Sequence, residues 1–218
     1  MTFEEITRNE EIRAFIEKGN DNLGTLGFTD HSTIHTGIVA KNAGKILEAF
    51  GYSPREIELA KIAGFMHDMG NAINRKSHAE YGALLANDIL RQTDMPLADR
   101  IQVTTAIGNH DESTGKAVDP VSAALIIADK SDVRRSRVQN DNEETFDAHD
   151  KVNYSVTKAE LKINENRTLI KLKLSVDTRY GSVMDYFRIF MERMVLCKTA
   201  AAKLGLEFKL MINEQQLV

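Results

Sequence analysis

Apolar side chains recur every three or four residues through the first 137 positions, which is the spacing of amphipathic helices. This pattern predicts five helices between residues 31 and 129. A serine followed three residues later by a glutamate, the capping box of a helix start, occurs at Ser53–Glu56 and again at Ser77–Glu80. Asp119-Pro120 indicates a further helix start, because proline fits the first helical turn. The polar residues best suited to chemistry fall at or near the ends of these helices.

The hydrophobic period changes to two near the C-terminus, after a polar tract. Apolar and polar residues alternate on both sides of Asn164-Glu165-Asn166, which predicts a β-hairpin. A long helix is predicted from about Ser182 to Leu204, with Gly205 as its stop. A third alternating run follows this helix, so the segment is predicted to have the order β-β-α-β.

The expected fold class is therefore mainly α, an all-helical core with a small C-terminal β-β-α-β module. We expect a helical domain over residues 1–137, a linker or loop over 138–151, and the small α+β module over 152–218. An isolated hairpin is marginally stable in water, so one face of the module needs a surface to cover it. We expect the module to cover a substrate or to form a homodimer interface.

The amino-acid composition argues against several classes of protein but does not indicate a function. Hydrophobic residues make up 42% and charged residues 28%, as in ordinary globular proteins, and the formal net charge of -4 does not favour binding of a nucleic-acid polymer. The N-terminus lacks the apolar core of a secretory signal, and no apolar run is long enough for a membrane span, so a cytoplasmic protein is expected. The single cysteine, Cys197, excludes an internal disulfide and is predicted to pack in a helix core.

Histidine is concentrated in the first half of the chain, where five of the six histidines precede residue 111. A histidine-rich, cysteine-poor segment favours a metal site with nitrogen and oxygen ligands. His67-Asp68 directly follows a strongly apolar helix, and burial of two ionisable side chains is costly unless they are paired or bind a metal. A second such dipeptide, His149-Asp150, lies in a polar tract and is interpreted as solvated.

Two more residues accompany the first dipeptide on separate predicted helices, a histidine upstream and an aspartate downstream at the end of an apolar helix. The order His … His-Asp … Asp resembles the HD superfamily of metal-dependent phosphohydrolases, over about residues 31–135. The resemblance implies an all-helical core that holds a divalent metal. The ligands that it implies are His35, His67, Asp68 and Asp129.

The resemblance extends to a second metal. His78 and His110 fall where binuclear members of the superfamily carry the ligands of that metal, and Asp68 would bridge the two ions. One or two divalent ions are therefore expected as cofactors. Imidazole and carboxylate ligands suit Mn, Fe, Ni, Co, Zn or Mg, and the residue types do not discriminate between them.

The activity that the resemblance implies is hydrolysis of a phosphoester in a nucleotide or a similar small phosphorylated molecule, by hydroxide generated at the metal, with Asp68 as a catalytic residue. Two alternatives stay open at this point. Some HD-like proteins are di-iron oxygenases with the same ligand types, and a nucleotide sensor could use the metal only to anchor its ligand.

Basic residues near the ligands are candidates for contacts with the substrate phosphate, because lysine and arginine pair well with phosphate oxygens. These candidates are Lys130, Arg134, Arg135 and Lys76. His31 shares a helix face with His35. It is expected either to support the metal site by a hydrogen bond or to be an exposed residue of the helix start.

Overall fold

The computed structural model describes residues 1–216, which contain nine α-helices and four β-strands. The helices are α1 (Phe3–Arg8), α2 (Glu10–Thr25), α3 (Thr33–Ala49), α4 (Pro54–Met66), α5 (His78–Leu90), α6 (Leu97–Gly108), α7 (Pro120–Lys130), α8 (Ala148–Ser155) and α9 (Val183–Lys203). The strands are β1 (Val156–Ile163), β2 (Leu169–Val176), β3 (Glu207–Ile212) and β4 (Gln215–Gln216). The mainly α fold with a small C-terminal sheet is thus confirmed.

Local capping explains where the helices of the N-terminal part begin. The Ser53 side chain accepts from the backbone N–H of Glu56, whose carboxylate accepts from Ser53 in return, as predicted for α4. Asp119 caps α7 by accepting from the backbone N–H of Ser122.

The capping box predicted at Ser77–Glu80 is wrong. Helix α5 begins at His78, but Ser77 has a left-handed backbone (φ 62°) and its side chain caps nothing. The physical reason is the tight turn before α5, in which the backbone N–H of His78 donates to the carbonyl of Arg75 at 3.4 Å. This turn directs Ser77 away from the first turn of the helix.

Helices α3, α4 and α6 pack around α7, whose residues Val121 to Lys130 are all buried. Helix α4 crosses α3 closely because Gly64 has no side chain at the contact. A Cβ added to Gly64 would lie 2.7 Å from the Cα of Ala40. The helix ends that carry the polar residues therefore meet at fixed positions.

The C-terminal module is joined to this bundle through α9, which packs on α7 and on β3. Strands β1 and β2 are antiparallel, β2 and β3 are parallel across α9, and β4 extends the edge. Buried residues of β2 and β3 share one hydrophobic core with Tyr186 and Phe190 of α9. The apolar face of the hairpin is thus covered by the chain's own helix.

The tract predicted as a linker over 138–151 contains a short 3-10 turn, Glu143–Thr145, and the first half of α8. Asp147 caps α8 by accepting from the backbone N–H of Asp150. Among the helices of residues 1–216, none combines the length and apolar character that a membrane crossing requires.

Candidate metal centre

Helix ends bring the candidate ligands to one buried place. Each lies in the first turn, in the last turn or just beyond the end of one of helices α3 to α7. All are buried, the most exposed being Asp129 at 8%. The residues that meet are His35, His67, Asp68, His78, His110 and Asp129.

The carboxylate of Asp68 faces two different groups of imidazoles. Its Oδ2 lies 3.0 Å from Nε2 of His67 and 3.6 Å from Nε2 of His35. Its Oδ1 lies 3.7 Å from Nε2 of His78 and 4.0 Å from Nε2 of His110. A carboxylate with one oxygen towards each group has the arrangement of a bridging ligand.

Asp129 completes the first group. Its Oδ1 lies 3.3 Å from Nε2 of His35 and 3.6 Å from Nε2 of His67. Its Oδ2 lies 2.8 Å from the Nζ of Lys130, so one oxygen is charge-neutralised and the other faces the imidazoles. His35, His67 and Asp129 can place one ligand atom each within 4.8 Å of the others, and so can His67, Asp68 and His110.

Each of the four candidate histidines has its outer ring nitrogen, Nδ1, next to an acceptor. Three of these acceptors are backbone carbonyls, which cannot donate, so Nδ1 carries a hydrogen and Nε2 is the atom through which a ligand bond would form. The pairs are His35 with Asp132 Oδ2 at 2.8 Å, His67 with Gly64 O at 2.9 Å, His78 with Arg75 O at 3.1 Å and His110 with Ile107 O at 2.6 Å.

The inner atoms lack the partners that burial demands. Within residues 1–216, Nε2 of His35, Nε2 of His67 and Oδ2 of Asp68 are buried without a hydrogen bond, although they lie within ion-pair distance of one another. An unsatisfied buried polar atom costs about 1–3 kcal/mol. A divalent cation would satisfy all three, and imidazole with carboxylate is a donor set that such ions accept.

The electrostatics give most of these groups the protonation state of a ligand. Burial alone would lower the pKa of His67, but the carboxylates of Asp68 and Asp129 outweigh it and raise that pKa to about 10. Burial lowers the pKa of His78 and of His110, which keeps both neutral at pH 7. Although burial opposes ionisation, His67 holds the pKa of Asp68 well below its usual value. Metal binding would therefore displace a proton from His67.

Two residues that hydrogen-bond to the candidate ligands were not predicted from the sequence. Asp132 is buried and orients His35, while two nitrogens of Arg134 hold its carboxylate, Nη2 at 3.0 Å from Oδ2. Asn71 donates to Oδ1 of Asp68 at 2.9 Å. Each lies three residues after a ligand, close to a helix end, and that spacing is the one sequence signal that points to them.

The residues proposed for substrate contacts have different surroundings. Lys130 is buried between Asp129 and Glu112, and Arg134 holds Asp132. Arg135 stacks on the ring of Tyr154, with its guanidinium carbon 4.4 Å from the ring centre. The side chain of Lys76 is exposed. Its backbone N–H donates to Oδ1 of Asn74. Lys130 and Arg134 are thus held in ion pairs next to the candidate ligands.

His31 lies beside His35, but its ring hydrogen bond is with a backbone carbonyl and not with a candidate ligand. Its Nδ1 donates to the carbonyl of Thr29 at 2.5 Å, and its ring lies 5.5 Å from the ring of His35. Burial lowers the pKa of His31 well below its usual value, so its imidazole is neutral. Cys197 is buried in α9, as predicted.

A cavity of about 400 Å³ lies beside His31. One part of its wall comes from the helical core and the residues before it, including Phe28, Arg75 and Glu112. The rest comes from α8 and α9 and includes the second His-Asp dipeptide. His149 of that dipeptide is 68% exposed, in keeping with a solvated residue, but Asp150 is buried.

Fold and site together define a helical protein with a candidate centre for divalent metal. The family model of the HD domain matches residues 33–137, the segment that contains every one of these ligands. Residues 33–137 therefore match the HD domain, which confirms the resemblance seen in the sequence.

Relatives were found by sequence and by structure. Uncharacterized protein MJ1020 of Methanocaldococcus jannaschii is 24% identical over 193 residues, which cover 78% of this chain and 74% of the relative. The crystal structure of a predicted HD superfamily hydrolase from an uncultured Thermotogales bacterium is 24% identical, with a TM-score of 0.45. That match covers 57% of this chain and 67% of the other.

Proposed function

We propose that this protein is a metal-dependent phosphohydrolase that cleaves a phosphoester of a nucleotide or a similar small phosphorylated molecule. The observation that carries this proposal is the position of Asp68, with one carboxylate oxygen towards His35 and His67 and the other towards His78 and His110. This arrangement suits a pair of divalent ions that share one carboxylate, which is a recurrent arrangement in phosphoester hydrolysis.

The protein's own residues would hold the ions and fix their surroundings. His35, His67, Asp68 and Asp129 would bind the first ion, and Asp68, His78 and His110 the second. A divalent ion bound there would supply Lewis acidity and would lower the pKa of a water molecule from 15.7 to about 7.

Surrounding residues keep the ligands in place. Asp132 fixes the ring of His35, and Asn71 fixes the carboxylate of Asp68. Lys130 offsets the charge of Asp129, which reduces the repulsion between two buried carboxylates. The ligand geometry is thus set before an ion binds, which limits the reorganisation that binding requires.

The neighbouring cavity offers contacts for an anionic group of a substrate. Arg75 and Arg193 both line it, and guanidinium groups match phosphate oxygens with two parallel hydrogen bonds. Its volume of about 400 Å³ lies within the range of about 300–1,000 Å³ typical of small-molecule sites. A small phosphorylated molecule therefore fits the size of the cavity and meets two guanidinium groups in its wall.

The test begins with full-length protein freed of metal by a chelator and reloaded separately with Mn²⁺, Fe²⁺, Co²⁺, Ni²⁺, Zn²⁺ or Mg²⁺. Release of phosphate or of nucleotide is then measured for nucleoside monophosphates, cyclic nucleotides and sugar phosphates. We expect turnover with at least one metal and its loss in Asp68→Asn. The matched control is Asp99→Asn, which removes a carboxylate paired with Arg55 on a different helix and leaves the centre intact.

Three results would contradict the proposal. Equal turnover in Asp68→Asn with the metal still bound would remove Asp68 from the chemistry. Tight nucleotide binding without turnover across all metals would favour a sensor. Oxygen consumption by iron-loaded protein, together with the absorbance of a mixed-valence iron pair, would favour an oxygenase.

A further inference from the structure

Arg193 lies on α9, outside the segment matched by the HD domain, yet it reaches the metal centre through a chain of ion pairs. Its Nε donates to Oε1 of Glu112 at 2.9 Å, and Oε2 of Glu112 lies 2.7 Å from the Nζ of Lys130. Lys130 in turn pairs with the ligand Asp129. These contacts fix Arg193 relative to the ligands, although the two lie in different parts of the chain.

The guanidinium of Arg193 has more N–H groups than hydrogen bonds among residues 1–216. A guanidinium carries five N–H groups, and Glu112 is its one hydrogen-bond acceptor among residues 1–216. The guanidinium carbon lies 4.8 Å from the centre of the Phe190 ring, which holds its plane in place. Its side chain is 25% exposed and lines the cavity, so its remaining N–H groups are accessible to a ligand there.

Arg75 lines the same cavity from the helical core. Its guanidinium carbon lies 5.5 Å from the ring centre of Phe28, and its Nη1 donates to Oδ1 of Asn71, which holds Asp68. Each arginine is therefore stacked on a phenylalanine and linked by one hydrogen bond towards the metal ligands. Such arginines keep their geometry when a ligand arrives, which lowers the entropic cost of binding.

The acidic residues of the cavity differ in how far they are engaged. Glu112 pairs with Lys130 and Arg193, and the buried Asp150 accepts from Asn140 at 3.3 Å, whereas Asp147, which caps α8, keeps its side chain 60% exposed. The accessible hydrogen-bonding groups of the wall therefore include donors that carry positive charge. A phosphate or another oxyanion is the group that these guanidinium donors match best.

We infer that Arg193 binds the phosphate of the substrate from the side of the C-terminal module, in the cavity that Arg75 also lines, so that this module completes the substrate site. The inference rests on the proposed function and deepens it, because it assigns to α9 a contact with the substrate. The ligand class is a small molecule with a phosphate group. The contact is a charge-assisted, two-pronged hydrogen bond from the free edge of the guanidinium.

The test uses metal-loaded full-length protein and inorganic phosphate as the probe, with binding measured by titration calorimetry. We expect Arg193→Gln to weaken phosphate binding about tenfold or more, the loss expected for one charged hydrogen-bonded contact. Arg193→Lys should recover part of the affinity, since it keeps the charge but loses the fork. Arg188→Gln, on the same helix with its side chain 69% exposed, is the matched control and should bind as wild type.

A second variant distinguishes direct contact between Arg193 and phosphate from a purely structural role of Arg193. Glu112→Gln removes the carboxylate partner of Arg193 but keeps the guanidinium. A structural role through this pair predicts equal loss of phosphate binding in both variants, whereas direct contact predicts retained or tighter binding in Glu112→Gln. Metal content and thermal unfolding are measured for each variant. If Arg193→Gln is unstable, the phosphate affinity of Arg193→Lys is compared with that of the wild type instead.

Failure of this inference is distinct from failure of the proposed function. Unchanged phosphate affinity in folded, metal-loaded Arg193→Gln and Arg193→Lys would overturn the role of Arg193, even if the wild type hydrolyses phosphoesters. If the wild type binds phosphate through Arg193 but hydrolyses nothing, the inference stands and the proposed activity does not. In an active protein, the inference predicts a raised KM with little change in kcat.

Discussion

Nδ1 of His35 lies 2.8 Å from Oδ2 of Asp132, and both side chains are buried. This contact fixes the imidazole so that Nε2 is directed at Asp68 and Asp129. Asp132 is itself held by the guanidinium of Arg134. Asp132 thereby sets the orientation of a candidate ligand, as outer hydrogen-bond partners do in many metal sites.

Asp132→Asn is predicted to weaken metal binding about 10- to 100-fold, the usual effect of losing such a partner. The amide can donate to Nδ1 of His35, which would place the ring hydrogen on Nε2 and remove the lone pair needed for the metal. The measurement is a competition titration of Mn²⁺ or Zn²⁺ against a chelator of known affinity.

Asp99→Asn is the control for Asp132→Asn, because Asp99 is also an aspartate held by an arginine, with Oδ2 2.7 Å from Nη2 of Arg55. It should bind metal as wild type does. Equal affinities in wild type and Asp132→Asn would show that His35 is oriented without Asp132.

The close approach of α3 and α4 gives a prediction about stability. A Cβ at Gly64 would lie 2.7 Å from the Cα of Ala40, an atom of the backbone that cannot rotate away. Gly64→Ala is therefore predicted to destabilise the fold by about 1–3 kcal/mol or more. It should also weaken metal binding, because the carbonyl of Gly64 accepts from Nδ1 of His67.

Gly37→Ala provides the comparison, since it makes the same substitution within α3 but meets nothing within 4 Å. Alanine costs less backbone entropy in a helix, so this variant should be more stable than wild type by about 0.5–1 kcal/mol. Urea unfolding of the metal-free proteins measures both changes. Equal stability of the two variants would contradict the close packing described for Gly64.

Cys197 is predicted to be unreactive in the folded protein. Burial raises the pKa of its thiol to about 12, so the reactive thiolate is almost absent at pH 8, and the side chain is fully buried. A chromogenic disulfide reagent should label it slowly in buffer and completely in strong denaturant. Complete labelling of the native protein within seconds would contradict the buried position.

Much of the site was predictable because its residues follow strong helix patterns. His67 and Asp68 end an apolar helix and Asp129 ends another, so their burial and their position at helix ends follow from the sequence pattern. Asp132 and Asn71 carried no comparable signal, because short polar residues after a helix usually serve as caps or lie in solvent.

The role of Arg193 could not be predicted from the sequence, because its contact with Glu112, which lies between α6 and α7, depends on how α9 packs against the helical core. The error at Ser77 has a related cause. The motif Ser77–Glu80 matches a capping box, but the turn that positions His78 imposes a left-handed backbone on Ser77. Tertiary constraints at the site thus override a local preference.

The most direct test of the account is the metal content of the purified full-length protein, measured by mass spectrometry after exposure to each divalent ion and removal of free metal. We predict about one to two ions per chain in the wild type, fewer in His78→Ala, and almost none in His67→Ala with helical content unchanged. A folded wild type that retains none of the ions, or a folded His67→Ala that retains as many as the wild type, would contradict it.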